Sequence, residues 1–181
     1  QGLNVKGIPT SETTRKLALR EQIQLTDFSR SSRIDLCIDG ADEINDNFDM
    51  IKGGGGALLR EKIVASCSDF YIIIADSSKQ VNQLGTFPLP VEVVSFGWQV
   101  VFDQLEELKY SPVLRLQGES PFLTDEGNCI IDCNLGRIDD PLELETRLNG
   151  IPGIVENGLF AGMCDLLILA EGDEVLQKKR R

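Results

Sequence analysis

Phe70-Tyr71-Ile72-Ile73-Ile74-Ala75, running straight into Asp76-Ser77-Ser78-Lys79, is the stretch on which the fold turns. A short apolar run rich in β-branched residues, ending in charge, reads as a buried strand. Upstream of it the spacing predicts a helix over residues 57–66, and before that another apolar run over 34–38. Thr10 or Ser11 is a suitable N-cap for a first helix reaching about Arg20. Strands separated by helices imply a parallel sheet covered on both faces.

Downstream the rhythm changes around Pro88-Leu89-Pro90. Strands are expected over 91–94, 113–116, 122–124 and 129–132, the last two flanking a turn at Asp125-Glu126-Gly127-Asn128. Helices are expected over 98–108 and 141–148, and a final strand over 154–159. That order is the split βαβ of ferredoxin-like domains. The run 165–170 reads as a buried strand returning to the first sheet, with Glu171-Gly172-Asp173 turning the chain. The fold class is therefore α/β: a Rossmann-like parallel-sheet domain (residues 1–88 and 160–181) with a smaller ferredoxin-like α+β domain (89–159) inserted towards the C-terminus.

Composition narrows the chemistry. The chain has 181 residues and a formal net charge of -11, which argues against a nucleic-acid partner, because phosphate backbones are held by clustered Lys and Arg. The basic run Lys178-Lys179-Arg180-Arg181 reads as a solvated tail. No apolar stretch approaches the roughly 18 residues that a membrane span needs, and no signal segment opens the chain. Cys37, Cys67, Cys129, Cys133 and Cys164 form no CxxC pair, so neither a disulfide framework nor a zinc site is expected, and reduced cytosolic thiols are the default. There is no histidine, so any proton transfer falls to Asp, Glu, Lys or Cys.

Reactive side chains of open parallel sheets gather beyond the carboxyl ends of the strands. Three segments put charge there: Asp39-Gly40-Ala41-Asp42-Glu43, Lys52-Gly53-Gly54-Gly55-Gly56, and Asp76-Ser77-Ser78-Lys79. Each is ambiguous by itself. An acidic turn is commonly just solvated, four glycines are commonly a flexible loop, and Lys79 alone reads as a surface lysine. Gly53–Gly56 before a helix can also bring backbone N–H groups to an anion, although the spacing is neither a Walker loop nor a GxGxxG. Glu61 shares a helix face with Ala57, Val64 and Ala65 rather than with Arg60. That inward carboxylate is either half of a buried ion pair with a lysine or a general base whose pKa burial raises.

Taken together, Asp39-Gly40-Ala41-Asp42-Glu43, Lys52-Gly53-Gly54-Gly55-Gly56-Ala57-Leu58, Glu61-Lys62-Ile63 and Ile74-Ala75-Asp76 with Lys79 resemble the type A ribose-5-phosphate isomerases. Phe87-Pro88-Leu89-Pro90-Val91-Glu92-Val93, Thr124-Asp125-Glu126-Gly127-Asn128 and Ile151-Pro152-Gly153-Ile154-Val155 agree in order, as does Gly158-Leu159-Phe160, so the resemblance spans nearly the whole chain. It implies interconversion of ribose 5-phosphate and ribulose 5-phosphate through an enediolate, in the non-oxidative branch of the pentose phosphate pathway. It also implies a cytoplasmic homo-oligomer, dimer or tetramer, with no cofactor, no metal and no nucleic-acid or membrane partner. By motif, Glu61 is the base. Asp39 and Asp42, with Gly40 and Ala41 between them, contact sugar hydroxyls and assist ring opening. Lys52 and the amides of Gly53, Gly54 and Gly55 bind substrate and stabilise negative charge, and Lys79 lines the same pocket.

The family begins with a strand and a Gly-Thr-Gly-Ser-Thr type loop that grips phosphate, whereas this sequence starts at Gln1 and holds no such loop before Gly7-Ile8-Pro9-Thr10. The phosphate site is therefore expected to be incomplete, sheet surface uncovered, and isomerase activity of this chain alone poor. Two other readings compete: a non-catalytic sugar-phosphate sensor of related fold, and a Mg²⁺-dependent phosphoryl transferase using Asp39 and Asp42 as ligands. Glu61 beside Lys52 argues against a sensor, which needs no proton shuttle. The absence of a nucleotide loop argues against phosphoryl transfer.

Overall fold

The computed structural model describes residues 4–30 and 32–180. Gln1 and Arg181, which figure in the readings of the two chain ends, lie outside them. Its first helix, α1 (Glu12–Arg20), opens where the sequence places it: Ser11 is the N-cap, its side-chain oxygen accepting the Thr14 N–H at 3.0 Å.

The isoleucine run forms the strand Tyr71–Asp76 at the centre of the first sheet. Cys37–Asp39 and Leu166–Glu171 lie parallel to it on either side, so the run after Asp165 does return to this sheet. Alternation sends Tyr71, Ile73 and Ala75 into a core shared with Cys37, Leu167, Leu169 and, from the helix α2 (Leu58–Ser66), Val64 and Ala65. The opposite face is not covered, contrary to the general expectation for a parallel sheet but as expected for a sequence without the family's first strand and helix. Among the described residues no layer buries it, and Ile38 and Ile74 are 57% and 51% exposed. Helix α1 is instead drawn elsewhere by its N-terminus: the Glu12 N–H donates to Asp125 at 2.8 Å and the Glu12 carboxylate faces Arg60.

The second sheet has the order Ile154–Asn157, Leu89–Val93, Cys129–Cys133, Pro112–Leu114, with every pairing antiparallel. Helices α3 (Trp98–Glu107) and α4 (Pro141–Asn149) contribute Val101, Leu105 and Leu148 to its core. Asp140 caps α4 by accepting the Glu143 N–H at 2.9 Å, and Pro141 occupies the first turn, where its missing N–H costs nothing. A βαββαβ chain with this strand order is ferredoxin-like, and the first sheet is Rossmann-like.

Four expectations about element boundaries need correction. The run 34–38 makes only an isolated bridge at Ile34, and the strand proper is Cys37–Asp39. Residues 122–124 form no strand, because Thr124 closes the turn instead, its N–H donating to the Asn128 carbonyl. The run 113–116 breaks at Arg115, after which Leu116–Gln117 folds back on Ser120–Pro121. The start of the basic run is an edge strand: Glu174–Lys179 pairs antiparallel with Leu166–Glu171, which draws Lys178 and Lys179 into the ladder.

The expected strand 154–159 also splits, at Gly158, and the split joins the two cores. Leu159–Phe160 leaves the ferredoxin-like sheet and pairs with Met50–Ile51, which pairs with Glu43–Ile44. In this small sheet the period of two sends Ile44, Met50 and Phe160 into the first core and Ile51 and Leu159 into the second. Lys52 follows directly, with its backbone N–H held by the Gly158 carbonyl at 2.9 Å.

Candidate active site

Asp39 ends a parallel strand, Asp42 sits in the turn after it, Lys52 leaves the small middle sheet, and Glu61 projects from the first turn of α2. These four residues and Gly40, Ala41, Gly53, Gly54 and Gly55 line one open cleft. The candidate residues thus converge beyond the strand ends, as open α/β sheets favour. Lys79 stands apart, on a single 3₁₀ turn at Ser77–Lys79 outside this lining.

Lys52 is the centre of charge. Its side chain is only 4% exposed, and its ammonium donates to the Gly40 carbonyl at 2.6 Å while lying 3.0 Å from Asp39 Oδ2 and 3.3 Å from Glu61 Oε2. The Phe160 ring lies 5.5 Å from the same nitrogen. A charge so desolvated is tolerated only because it is paired. Both readings of Glu61 therefore have a physical basis: it is half of an ion pair with lysine, and it also faces the cleft.

At 3.3 Å from Lys52, Oε2 of Glu61 is buried and has no aligned hydrogen-bond donor among the described residues. Burial raises the Glu61 pKa above the ordinary carboxylate range; Lys52 pulls it back and Asp39 pushes it up further. A carboxylate whose buried oxygen is ion-paired with Lys52 but has no aligned hydrogen-bond donor, and whose basicity is raised, is suited to taking a proton from carbon.

The glycines meet a steric demand. A Cβ on Gly54 would stand 2.7 Å from Asp42 Oδ1, and Gly53 has φ +100°, so only glycine lets the loop come this close. The Gly54 N–H donates to Asp42 Oδ2 at 2.7 Å, which orients that carboxylate into the cleft. Asp39 is fixed similarly, its Oδ1 accepting the Gly40 N–H at 2.8 Å.

Three features of the site were not legible in the sequence. Arg115 donates to the Gly53 and Gly54 carbonyls, Asp132 holds Arg115, and Lys62 is buried between Glu145 and Glu156 at 2.8 and 2.7 Å, anchoring α2 next to Glu61. All are long-range pairs with no local motif. The one signal available was that Lys62, like Glu61, falls on a helix with little polar surface to spare. Cys37, close by, is not a nucleophile in waiting: burial and Asp39 push its thiol up to about 12.

The sequence and the fold have known counterparts. The family model for ribose 5-phosphate isomerase A (phosphoriboisomerase A) matches residues 6–174. Ribose-5-phosphate isomerase A of Ruegeria sp. (strain TM1040) is 49% identical over 95% of this chain and 68% of its own length. That of Ruegeria pomeroyi is 48% identical over 96% of this chain and 69% of its own length. Among solved structures, a D-ribose-5-phosphate isomerase in complex with phospho-erythronic acid superposes with TM-score 0.93 at 37% identity, covering 97% of this chain and 78% of that one. The ribose 5-phosphate isomerase A of Methanocaldococcus jannaschii superposes at 0.91 with 40% identity and the same coverage. The chain belongs to the ribose-5-phosphate isomerase A family.

Proposed function

We propose that this cleft isomerises ribose 5-phosphate and ribulose 5-phosphate with Glu61 as the single mobile base. The enzyme is an aldose–ketose isomerase. The observation that carries the assignment of roles is Glu61 Oε2 held 3.3 Å from the Lys52 ammonium in a cleft open to substrate. Asp39 and Asp42, pre-oriented by the Gly40 and Gly54 amides, take the sugar hydroxyls and assist ring opening. Glu61 removes the proton from C2 of the open-chain aldose. The C2–H electron pair becomes the C1–C2 double bond, and negative charge grows on the carbonyl oxygen. Lys52 and the glycine-loop amides stabilise that charge, each such donor contributing on the order of 10²–10³ in rate. The hydroxyl proton on O2 passes to the neighbouring O1 of the cis-enediolate, the C2–O electrons form the new carbonyl, and the C1–C2 pair takes back the proton from Glu61 at C1, general base catalysis of this kind contributing roughly 10²–10⁴.

Metal independence belongs to the same proposal, supported by the Lys52 ammonium standing between two of the carboxylates that a cation would need. So do a cytoplasmic location, the division into domains 1–88 with 160–181 and 89–159, and a homo-oligomeric state. For the last, the support is apolar surface beside α3, where Phe96 is 94% exposed. A spectrophotometric assay for ribulose 5-phosphate formation, run with and without EDTA, tests the chemistry. Turnover unaffected by chelation is expected. Activity lost in EDTA and restored by Mg²⁺ would contradict the scheme, and binding of ribose 5-phosphate without turnover would favour a sensor.

A further inference from the structure

Arg115 directly follows the strand Pro112–Leu114 of the ferredoxin-like sheet, yet its guanidinium reaches the glycine loop. Nη1 donates to the carbonyls of Gly53 at 2.9 Å and Gly54 at 3.0 Å. Nε and Nη2 grip both oxygens of Asp132 at 2.9 and 2.5 Å, the fork geometry that only arginine offers. The side chain is 16% exposed and lies over the Phe122 ring, which itself packs within van der Waals reach of Gly56.

A peptide unit is planar and trans, so its C=O and N–H point in opposite directions, and the described chain contains no cis bond. Drawing the Gly53 carbonyl to Arg115 therefore turns the Gly54 N–H the other way, where it meets Asp42 Oδ2 at 2.7 Å. The same logic applies to the next unit: with the Gly54 carbonyl on Arg115, the Gly55 N–H faces away from Arg115, on the cleft side that Gly55 lines. The Gly54 N–H is thus spent on orienting Asp42, and the Gly55 N–H is the donor left to the cleft. The Gly53 carbonyl also accepts the Gly56 N–H at 3.0 Å, but for the Gly54 carbonyl Arg115 is the hydrogen-bond donor among the described residues. Glycine backbones change peptide orientation at little steric cost, so without Arg115 a flipped Gly54–Gly55 unit would aim a carbonyl at the developing enediolate. The guanidinium also polarises both peptide units, which strengthens their N–H donors.

We propose that Arg115, braced by Asp132, is a positioning residue that locks the Gly53–Gly55 peptides so that the Gly54 N–H stays on Asp42 and the Gly55 N–H faces the substrate. The inference rests on the isomerase reading of the cleft. It acts through the loop and not on substrate, so its loss lowers kcat more than it raises KM.

The test pairs two measurements on Arg115→Met and on Asp132→Asn. One is steady-state kinetics with ribose 5-phosphate; the other is the ¹⁵N–¹H resonances of Gly54 and Gly55. Arg115→Met is expected to lose roughly 10² in kcat, the scale of one oxyanion donor, with KM changed far less and both amide resonances shifted or broadened. Asp132→Asn is expected to shift the same resonances with a smaller kcat loss, and it carries the test alone if Arg115→Met fails to fold. A folded variant with unmoved amide resonances, or with moved resonances and undiminished kcat, would overturn the proposal. Should the parent protein not turn over ribose 5-phosphate, the isomerase reading fails, while the amide resonances still decide whether Arg115 sets the loop.

Discussion

Glu61 sits among charges of both signs, and its behaviour with pH follows from their balance. It must be unprotonated to act, and burial raises its pKa, so the acid limb of kcat/KM lies above pH 4.5, the ordinary carboxylate value. Asp39 contributes to that rise by disfavouring a second negative charge nearby. Asp39→Asn should therefore move the acid limb to lower pH, whatever it does to the plateau, as a pH profile of kcat/KM will read. A limb moving upward would mean that Asp39 acts on Glu61 in the opposite sense. Asp39, Asp42 and Lys52 were legible because they stand in two short motifs after strands, and Glu61 because it shares the inward face of a helix, whereas Lys79, from the third motif, lies outside the cleft lining. The clamp Arg115–Asp132 was not, because an arginine 61 and 62 positions from its carbonyl partners leaves no local pattern.

At the scale of elements, the periodicities of 2 and 3.6 located the four α-helices of the described residues and the main strands, since most bury one face cleanly. Failures came where a strand changes partner. Residues 154–159 read as one strand by alternation, but Gly158 donates to Pro90 in one sheet and accepts from Lys52 in another. A Cβ there would stand 2.3 Å from the Lys52 carbonyl and 2.8 Å from Pro90. Gly158→Ala should thus destabilise by about 2 kcal/mol, the usual range for overpacking, and displace Lys52 as well. Urea unfolding and kcat measured together will check this; a stable variant with unchanged kcat would show that the crossing is looser than drawn.

Over the whole molecule, the small sheet Leu159–Phe160, Met50–Ile51, Glu43–Ile44 makes the two cores interdependent, because alternate residues of the same strands lie in each. Lys62 adds a tie between α2 and residues Glu145 and Glu156. Trp98, the only tryptophan, packs on the second core. Its fluorescence and far-UV circular dichroism should therefore report one coincident unfolding transition. Separate midpoints would mean that the sheets melt independently and that the site between them is not rigidly held. Sequence periodicity could suggest two sheets, but not that they share strands, since sharing is a property of long-range pairing.

The central claim is that Glu61 carries the proton, and the most direct measurement is the turnover of Glu61→Gln with ribose 5-phosphate, its fold verified by circular dichroism. Gln keeps the shape and removes the basicity. The account predicts a fall in kcat of roughly 10² or more with the fold intact. Near-normal turnover in the folded variant would remove Glu61 from the mechanism and leave it as the structural partner of Lys52.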